Sequence, residues 1–325
     1  MDGIFLHGVC KPVNLYVNGR RSIWEAIYFA TNVFLPLIKL NFDVVDCQEF
    51  PYFPGFSVKS ASQIKQFHFI ITWYEVWYDY WHHYLGKISG YIGKIIELLT
   101  SKLPDRIIAI SNMVKNDLIS IAGIPPNLIK VIPDGIDFKK IQRVPPAKVG
   151  FDILYAGRLV KHKNVDLLIA SLEIIKSERP DVTCGIIGDG PERRNLEKLV
   201  MELNLEKNIT FLGFLERDTD VFSYMKSSGI FVLPSTREGA GLVTLEANAC
   251  GLPVVVVRHE KNAATEVVIE GENGFISHFS KESLAEKILT ALDNKNNMKE
   301  RCINFSRKYD WDKIADLTES VYWRM

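Results

Sequence analysis

The sequence lacks the features that mark several large classes of protein. Its longest apolar stretch, 26–38, is interrupted by Thr31, Asn32 and Pro36 and falls short of the roughly 20 residues that span a bilayer. The five cysteines are scattered and never form a CxxC pair, which indicates reduced thiols, not a disulfide framework or a zinc site. The chain also lacks the basic start and apolar run of a signal peptide. We therefore expect a cytoplasmic protein that at most rests on a membrane surface.

An excess of charge is also missing. Lys plus Arg and Asp plus Glu number 39 each, so there is no electrostatic reason to expect nucleic acid as a partner. The adjacent His82 and His83 point in different directions and belong to no HExxH pattern, so we expect no metal site. With 47% apolar residues over 325 positions, the chain can form two globular domains, each with its own core.

The second half of the chain alternates short apolar segments with amphipathic ones. β-Branched or aromatic runs bounded by Gly, Pro or charge predict strands at 151–156, 183–188, 209–212, 229–233 and 253–257. Helical spacing between them predicts helices at 165–176, 192–203, 218–226 and 242–249. This alternation predicts a doubly wound parallel sheet that binds ligands at the carboxyl ends of its strands.

The first half is also α/β but less regular. We expect a helix over 22–40 and strands at 43–47, 67–72, 106–110 and 129–132. The basic, proline-bearing and aperiodic segment 139–148 is predicted to be the linker, which divides the chain into domains 1–142 and 143–306. A last helix is predicted over 311–323.

The strongest functional signal lies in residues 234–255, which follow a predicted buried strand. This segment holds two glutamates, Glu238 and Glu246, with seven residues between them. Taken alone, such glutamates are more often a helix cap and an exposed helix residue. Gly239 and Gly241, which allow a close approach of the backbone to a ligand, and the apolar flanks favour a binding site instead.

A helix is expected to begin near Gly241, so that the free amides of Gly241, Leu242 and Val243 face a bound anion. With a diphosphate at the helix tip, one carboxylate would lie toward its sugar and the other toward its nucleoside. Carboxylates are suitable acceptors for paired sugar hydroxyls, each charged hydrogen bond contributing roughly 1.5–3 kcal/mol.

A second signal is the sequence AGRL, in which Arg158 is followed five residues later by Lys163. It comes directly after the first predicted strand of the second domain. Two cations there would neutralise a diphosphate leaving group, although a basic loop on its own is usually only surface. Lys161 and His162 of the same loop are expected to face solvent.

A third signal is the segment IGDGPE, with Gly188, Gly190 and Pro191. Its GxG start suggests a dinucleotide site, but Arg193 stands where the third glycine would be, which argues against a dehydrogenase. A glycine-lined loop that admits the nucleoside of a donor remains an open interpretation.

In order and spacing, these three motifs resemble the family 4 retaining glycosyltransferases, whose pattern is E-x7-E preceded by G-R-L-x4-K and G-x-G-P. The resemblance is specific over about 151–275 and looser over 43–137. It implies two Rossmann-like doubly wound α/β domains facing a cleft, the GT-B type. It also implies that the C-terminal helix, within 307–325, packs back on the N-terminal domain.

The resemblance assigns roles to individual residues. Arg158 and Lys163 would bind the donor diphosphate, Glu238 would bind the donor sugar as a catalytic residue, and Glu246 would bind the ribose. The further donor-binding residues predicted in this way are Gly188, Gly190, Pro191, Gly213, Gly239, Gly241, Leu242 and Val243. No metal or cofactor is implied.

Two departures from the family pattern concern the first domain. Members usually begin with a strand, a glycine-rich loop and a helix, and residues 1–19 carry no such unit. We therefore expect an N-terminal domain that lacks its first strand–loop–helix unit, through a shortened chain or an upstream start. The family also commonly has a histidine where this chain has Tyr74, which makes Tyr74 the second catalytic candidate. Its alternative role is packing in an aromatic cluster.

Trp73, Trp77 and Trp81 repeat every four residues and would share one face of a helix. Such a stripe is usually core packing. A surface that faces a lipid or an acceptor is the alternative, since indoles favour membrane interfaces.

The expected protein is a hexosyltransferase-type enzyme (EC 2.4) that moves a sugar from a nucleoside diphosphate sugar to a glycan, lipid or other hydroxyl acceptor, with retention. The alternatives are a non-catalytic nucleotide-sugar-binding subunit with a degenerate N-terminal domain and a two-lobed epimerase. The expected location is the cytoplasm, at most the inner face of the membrane.

Overall fold

The computed structural model describes residues 3–17 and 20–323. They form two compact units with a parallel sheet in each: one reaches Ile132 and resumes at Thr318, and the other extends from Pro133 to Leu317. Both units are α/β, as predicted. Among the described residues, no helix is long and apolar enough to cross a membrane.

The first unit is built on a four-stranded sheet of order β3-β4-β5-β6, preceded by the small antiparallel pair β1 and β2. Its strands are β1 Tyr16–Val17, β2 Arg20–Arg21, β3 Val44–Gln48, β4 His68–Trp73, β5 Arg106–Ala109 and β6 Ile129–Val131. Its helices are α1 Ile23–Lys39, α2 Phe53–Lys65, α3 Tyr80–Leu85, α4 Lys87–Thr100 and α5 Asn112–Ser120. The central strand β4 is the most apolar, and Phe69, Ile70, Ile71 and Trp73 are fully buried in it.

The predicted absence of a strand–loop–helix unit concerns residues 1–19, of which 1, 2, 18 and 19 lie outside the described residues. The described part of that segment contains the short strand β1 and otherwise irregular chain. The helix predicted over 22–40 is α1, which begins where the Ser22 side chain accepts a hydrogen bond from the Glu25 amide at 3.2 Å.

The prediction that three tryptophans share a helical face is wrong. Trp73 ends β4, Trp77 lies in the loop after it, and Trp81 belongs to α3. The three nevertheless belong to one aromatic cluster: Trp77 contacts Trp81 at 4.8 Å between ring centroids and stacks on Phe50 at 5.8 Å. The spacing of four therefore does not reflect a helix, since the residues lie in a strand, a loop and a helix. Trp73 and Trp81 are buried and Trp77 is half-buried beside them.

The second unit has a six-stranded parallel sheet of order β12-β11-β10-β7-β8-β9. Its strands are β7 Ile153–Ala156, β8 Cys184–Ile187, β9 Ile209–Gly213, β10 Ile230–Leu233, β11 Val254–Val257 and β12 Gly274–Ser277. Its helices are α6 Phe138–Arg143, α7 Val165–Glu178, α8 Arg193–Glu202, α9 Asp218–Ser227, α10 Leu242–Ala249, α11 Lys281–Ser306 and α12 Trp311–Tyr322. The five predicted strands and four predicted helices are present, whereas β12 and α11 were not predicted.

The division between the units lies before the predicted linker. Residues 139–148 begin inside α6, and Phe138 and Ile141 of that helix are buried in the core of the second unit. The predicted linker thus begins in a helix that Phe138 and Ile141 anchor in a hydrophobic core. The sequence pattern did not predict that these two side chains are buried.

The helix α12 begins in the second unit, where Ile314 is buried, and its last residues belong to the first unit. There Val321 is buried and the Tyr322 hydroxyl donates to Asp46 Oδ2 at 2.7 Å. Residues 324 and 325 of the predicted segment 307–325 lie outside the described residues.

Candidate functional site

The sheet of the second unit has a reversal of strand order between β7 and β10. From β7 the chain proceeds outward through β8 and β9, then returns to the other side of β7 for β10, β11 and β12. Parallel sheets bind ligands at the carboxyl ends of the two strands that flank such a reversal, because the loops there diverge and leave a crevice. The loop after β7 carries Arg158 and Lys163, and the loop after β10 carries Glu238. Two of the predicted motifs are therefore neighbours in space.

The loop after β7 lies directly against the loop after β8. The amides of Gly157 and Leu159 donate to carbonyls at the end of β8 and just beyond it, at 3.0 and 2.9 Å. A Cβ at Gly188 would lie 1.9 Å from the Gly157 carbonyl oxygen, and one at Gly190 would lie 2.4 Å from that of Leu159. Gly188 also has a φ of +126°. The glycines of the third motif are thus required by the contact of two loops, whatever they contribute to a ligand.

The other residues predicted around this loop differ in exposure. Gly213 ends β9 with a φ of +74°, and its carbonyl accepts the Gly188 amide at 2.8 Å. Pro191 is exposed, whereas Gly239, on the loop after β10, is half-buried.

The two predicted diphosphate-binding cations have different surroundings. Arg158 is exposed, and among residues 3–17 and 20–323 no carboxylate forms an ion pair with it. Lys163 is engaged: its Nζ lies 2.5 Å from Glu238 Oε1, with the two side chains 18% and 13% exposed. The structure thus joins the cation predicted for the diphosphate to the carboxylate predicted for the sugar.

Asn164, which sequence reasoning missed, connects the two loops. It adopts the left-handed conformation, with φ 47°, immediately before α7. Its Nδ2 donates to the carbonyl oxygens of His162 and Pro234 and to Thr236 Oγ1, at 3.0, 3.2 and 3.1 Å. An asparagine in front of a helix is a weak sequence signal for such a conformation, but its partners follow the distant strand β10.

The prediction that His162 faces solvent is wrong, since the residue is half-buried. Burial lowers the pKa of its imidazole to about 4, and the charges of Lys163, Arg237 and Arg158 add to this effect. His162 is therefore neutral at pH 7. Its carbonyl accepts the Thr236 amide at 3.0 Å, which ties the two loops together once more.

The backbone of Glu238 is held on both sides by the loop after β11. Its amide donates to the Lys261 carbonyl and its carbonyl accepts the Ala263 amide, both at 2.9 Å. Between these partners lies the buried Asn262, whose Nδ2 donates to the carbonyls of Ser235 and Val257 at 2.9 and 2.7 Å. No sequence signal pointed to Asn262, although it fixes the loop that presents Glu238.

The helix α10 begins at Leu242, directly after Gly241, which has a φ of +69°. Gly241 lies so close to Ala264 that a Cβ added to the glycine would approach the Ala264 Cβ to 2.4 Å. The first hydrogen bond of the helix turn is that of the Thr244 amide to the Gly241 carbonyl, at 2.8 Å. The amides of Leu242 and Val243 precede it, and amides in this position are open to an anion. The side chains of both residues pack against the core.

Glu246 lies one turn further along α10 and is partly buried. Burial raises the pKa of its carboxyl group to about 7, an effect to which the charge of Asp218 adds and which that of Lys140 opposes. Lys140 itself forms an ion pair with Asp218. Lys140 also lines a cavity of about 680 Å³, together with Arg143, Thr219, Asp220 and Ser223 among others. A carboxyl group whose pKa lies near neutral pH is typical of a functional position.

Tyr74 belongs to the first unit. It follows β4 directly, is 36% exposed, and donates its hydroxyl to Gln48 Oε1 at the end of β3. The buried carboxyl group of Glu49 accepts the Tyr74 amide. Gln48, the last residue of β3, and Glu49, which follows it, therefore position Tyr74 at the carboxyl edge of that sheet. Within the described residues, no group of three His, Cys, Asp or Glu side chains could hold a metal ion.

Two models of known protein families match the chain, one over each half. The sequence model described as glycosyl transferases group 1 matches residues 137–309, more than half of the chain. The one described as glycosyltransferase family 4 matches residues 5–140. All predicted site residues of the second unit lie within the first match, and Tyr74 lies within the second.

Two relatives and one solved structure illustrate the similarity. An uncharacterized glycosyltransferase of Methanocaldococcus jannaschii is 32% identical over 67% of this chain and 59% of its own length. An N-acetylgalactosaminyltransferase of Campylobacter jejuni, named for a diphospho-undecaprenol substrate, is 30% identical over 61% and 54%. The chain thus spans less than two thirds of both relatives. The crystal structure of Anabaena HepE in complex with UDP aligns over 92% of this chain and 82% of its own, with 21% identity and a TM-score of 0.75, which shows a shared fold.

Proposed function

The chain belongs to the family of glycosyl transferases group 1, and from this premise we propose that it transfers a sugar from a nucleoside diphosphate sugar to a hydroxyl acceptor. The observation that carries the proposal is the arrangement at the strand reversal between β7 and β10. There, Lys163 pairs with Glu238, and both Arg158 and the N-terminus of α10, the helix that carries Glu246, follow the two strands that flank the crevice. Cations and amides suit a diphosphate, and carboxylates suit the hydroxyls of a sugar and a ribose.

In the proposed complex, Arg158, Lys163 and the amides of Leu242 and Val243 bind the diphosphate. Glu238 accepts hydrogen bonds from the donor sugar and Glu246 from the ribose. Positive charge near the diphosphate stabilises the negative charge that develops on it as the glycosidic bond breaks. Because Arg158 and Lys163 supply this charge, we propose that the reaction requires neither a metal nor a cofactor.

We propose that transfer proceeds with retention by attack on the front face of the sugar. The acceptor oxygen forms a bond to the anomeric carbon as the bond from that carbon to the diphosphate oxygen breaks. The acceptor's proton passes to the departing diphosphate oxygen, which leaves as the nucleoside diphosphate. The role of the protein is then to position the reactants and to stabilise charge, and we assign Glu238 and Tyr74 to the reaction centre.

For the acceptor, we propose a glycan or a lipid-linked molecule bound by the first unit. The support is the exposed apolar face of α4, formed by Ile88, Tyr91, Ile92, Ile95 and Leu99. An apolar helix face beside Lys87 suits a membrane surface or the apolar part of a carrier. We therefore propose a cytoplasmic protein at the inner face of the membrane. Flotation with anionic vesicles tests this, and Ile88→Ser with Ile92→Ser should reduce binding.

A panel of nucleotide sugars, scored by calorimetry and by slow donor hydrolysis, tests the function. Arg158→Ala and Glu246→Ala should each lose roughly 1.5–3 kcal/mol of donor binding, about ten- to a hundredfold in affinity, because each contact is charged. Arg179→Ala is the matched control, since it removes the same charge from the same unit at the end of α7.

Unchanged donor affinity in both site variants would contradict the site. Binding without transfer or hydrolysis would instead identify a nucleotide-sugar-binding subunit. Interconversion of free nucleotide sugars without an acceptor would identify an epimerase.

A further inference from the structure

The ion pair between Lys163 and Glu238 links two groups to which the proposed function gives different ligands. Its Nζ–Oε1 distance is 2.5 Å, and both side chains are mostly shielded from water. A partly buried ion pair is screened less than a surface pair, so its partners are not free to bind another charge without loss. A diphosphate that binds Lys163 must therefore compete with Glu238.

The backbones on both sides of this pair are fixed. Asn164, next to Lys163, hydrogen-bonds to Pro234 and Thr236 of the opposite loop. Glu238 is held by the Lys261 carbonyl and the Ala263 amide. A change of partner by these two side chains would therefore leave the loops that carry them in place.

Arg158 offers a contrast in the same site. It is exposed, and within the described part of the chain no carboxylate is paired with it. One of the two cations is thus exposed to solvent, and the other is paired with Glu238.

We propose that the donor sugar controls access of the diphosphate to Lys163. This inference rests on the proposed function and extends it to discrimination between donor and product. When a nucleoside diphosphate sugar binds, the sugar hydroxyls donate to Glu238, which releases Lys163 to the diphosphate. After transfer the sugar is gone, Glu238 pairs again with Lys163, and the nucleoside diphosphate is held less tightly. The pair therefore favours binding of the donor and release of the product.

The test compares the affinities of a nucleoside diphosphate and of its nucleotide sugar for wild type and Glu238→Gln. UDP, GDP and ADP are titrated first, with the corresponding glucose or mannose conjugates, and the pair that binds wild type is used. Glutamine keeps the shape of the glutamate side chain but carries no charge, so it cannot form an ion pair with Lys163. Glu238→Gln should bind the nucleoside diphosphate about tenfold more tightly, equivalent to about 1.4 kcal/mol, because the diphosphate no longer has to displace a carboxylate from Lys163. It should bind the nucleotide sugar more weakly, because the charged hydrogen bonds to the sugar are lost.

Glu260→Gln is the matched control. Glu260 is exposed in the loop whose Lys261 carbonyl accepts the Glu238 amide, so its removal changes the same net charge near the site without touching the ion pair. Its effect on nucleoside diphosphate affinity should be less than twofold, as expected for a screened surface charge. In a Lys163→Met background, Glu238→Gln should no longer raise nucleoside diphosphate affinity, which assigns the gain to the pair.

Different outcomes would contradict the proposed function and the competition for Lys163. If wild type binds none of these nucleotides, the proposed function is wrong. If wild type binds them but Glu238→Gln binds the nucleoside diphosphate no better than wild type or Glu260→Gln, the competition for Lys163 is wrong and the function stands. If Glu238→Gln fails to fold, as judged by circular dichroism, the same two affinities are measured for Lys163→Met. It should weaken nucleotide-sugar binding more than nucleoside diphosphate binding, and an equal loss for both overturns the proposal.

Discussion

Glu246 shows how the surroundings of one residue alter its chemistry. Its carboxyl group lies on α10, where burial raises its pKa to about 7. A protonated carboxyl group donates one hydrogen bond and accepts poorly, whereas the carboxylate accepts from both hydroxyls of a ribose. The ligand-free protein at pH 6 therefore holds Glu246 mostly in the form that is less suited to the proposed donor.

We predict that nucleotide-sugar affinity falls about tenfold from pH 8 to pH 6, because below a pKa of about 7 binding must release a proton from Glu246. Calorimetry in buffers of different ionisation enthalpy measures both the affinity and the released proton. A nucleotide sugar is the suitable probe, since a terminal phosphate with a pKa of about 6 would titrate in the same range. Glu246→Gln should bind with a flat profile. A wild-type profile that is equally flat would contradict the assignment of Glu246.

The hydroxyl of Tyr74 is the proposed catalytic group of the first unit. Its hydroxyl is bonded to Gln48 and its amide to Glu49, so its position is defined by the end of β3. If the hydroxyl acts on the sugar, Tyr74→Phe should slow transfer about tenfold, equivalent to about 1.4 kcal/mol in the barrier, with donor binding and folding unchanged.

The variant Tyr74→His should restore transfer or raise it, because an imidazole can donate and accept as the phenol does. Tyr16→Phe, which removes an exposed hydroxyl from β1, is the control and should have no effect. Wild-type rates in both Tyr74 variants would show that the residue only packs.

At the scale of elements, the contact between the loops after β7 and β8 determines where Arg158 is presented. Gly188 allows this contact in two ways, through its φ of +126° and through the absence of a Cβ that would lie 1.9 Å from the Gly157 carbonyl oxygen. Gly271 has a φ of +74° with open space around it. Alanine substitutions at Gly188 and Gly271 can therefore be compared. Both pay the cost of a left-handed backbone conformation, and only the one at Gly188 also produces a steric clash.

Gly271→Ala should lower the free energy of unfolding by about 1–2 kcal/mol, the cost of a left-handed residue with a Cβ. Gly188→Ala should lower it by more than about 3 kcal/mol, because the loops must also separate, and it should weaken donor binding as Arg158 moves. Urea unfolding and calorimetry measure the two effects. Equal losses for both variants would show that the two loops separate without resistance.

The elements also show which parts of the fold the sequence could predict. The apolar, β-branched strands β7, β8, β10 and β11 have a short-range pattern, and they were predicted to within a residue or two. The strand β12, with the sequence GFIS, has little pattern of its own and is a strand because it pairs with β11. The helix α11 contains the polar stretch NKNN, and its register depends on the core against which Leu284, Ile288 and Met298 pack.

At the scale of the whole chain, the end of α12 belongs to the first unit. The Tyr322 hydroxyl donates to Asp46 Oδ2 at 2.7 Å, and Asp46 also accepts from Thr72 at 3.0 Å. Burial raises the pKa of Asp46, and the Tyr322 and Thr72 hydrogen bonds act against that rise. The Tyr322 hydrogen bond therefore favours the charged form of Asp46, a residue of the edge strand β3 whose charge is disfavoured by burial.

Tyr322→Phe should lower the free energy of unfolding of the first unit by about 1.5–3 kcal/mol, the range for a hydrogen bond to a charged group. Trp323→Ala is the neighbouring control: its side chain is 81% exposed, and a change within about 0.5 kcal/mol is expected. Urea unfolding followed by circular dichroism measures both. If Tyr322→Phe is as stable as wild type, the hydroxyl contributes nothing beyond what water supplies to Asp46.

The sequence by itself determined the α/β class, most strands and helices of the second unit, and the motifs that carry Arg158, Lys163, Glu238 and Glu246. These depend on periodicity and on residue types a few positions apart. The tertiary structure alone decided that Lys163 pairs with Glu238, that Asn164 and Asn262 hold their loops, and that Gly188 serves a loop contact. The ion pair joins residues 75 positions apart, and the order of strands brings them together. Sequence patterns cannot predict such pairings, because they arise only when β10 returns to lie beside β7.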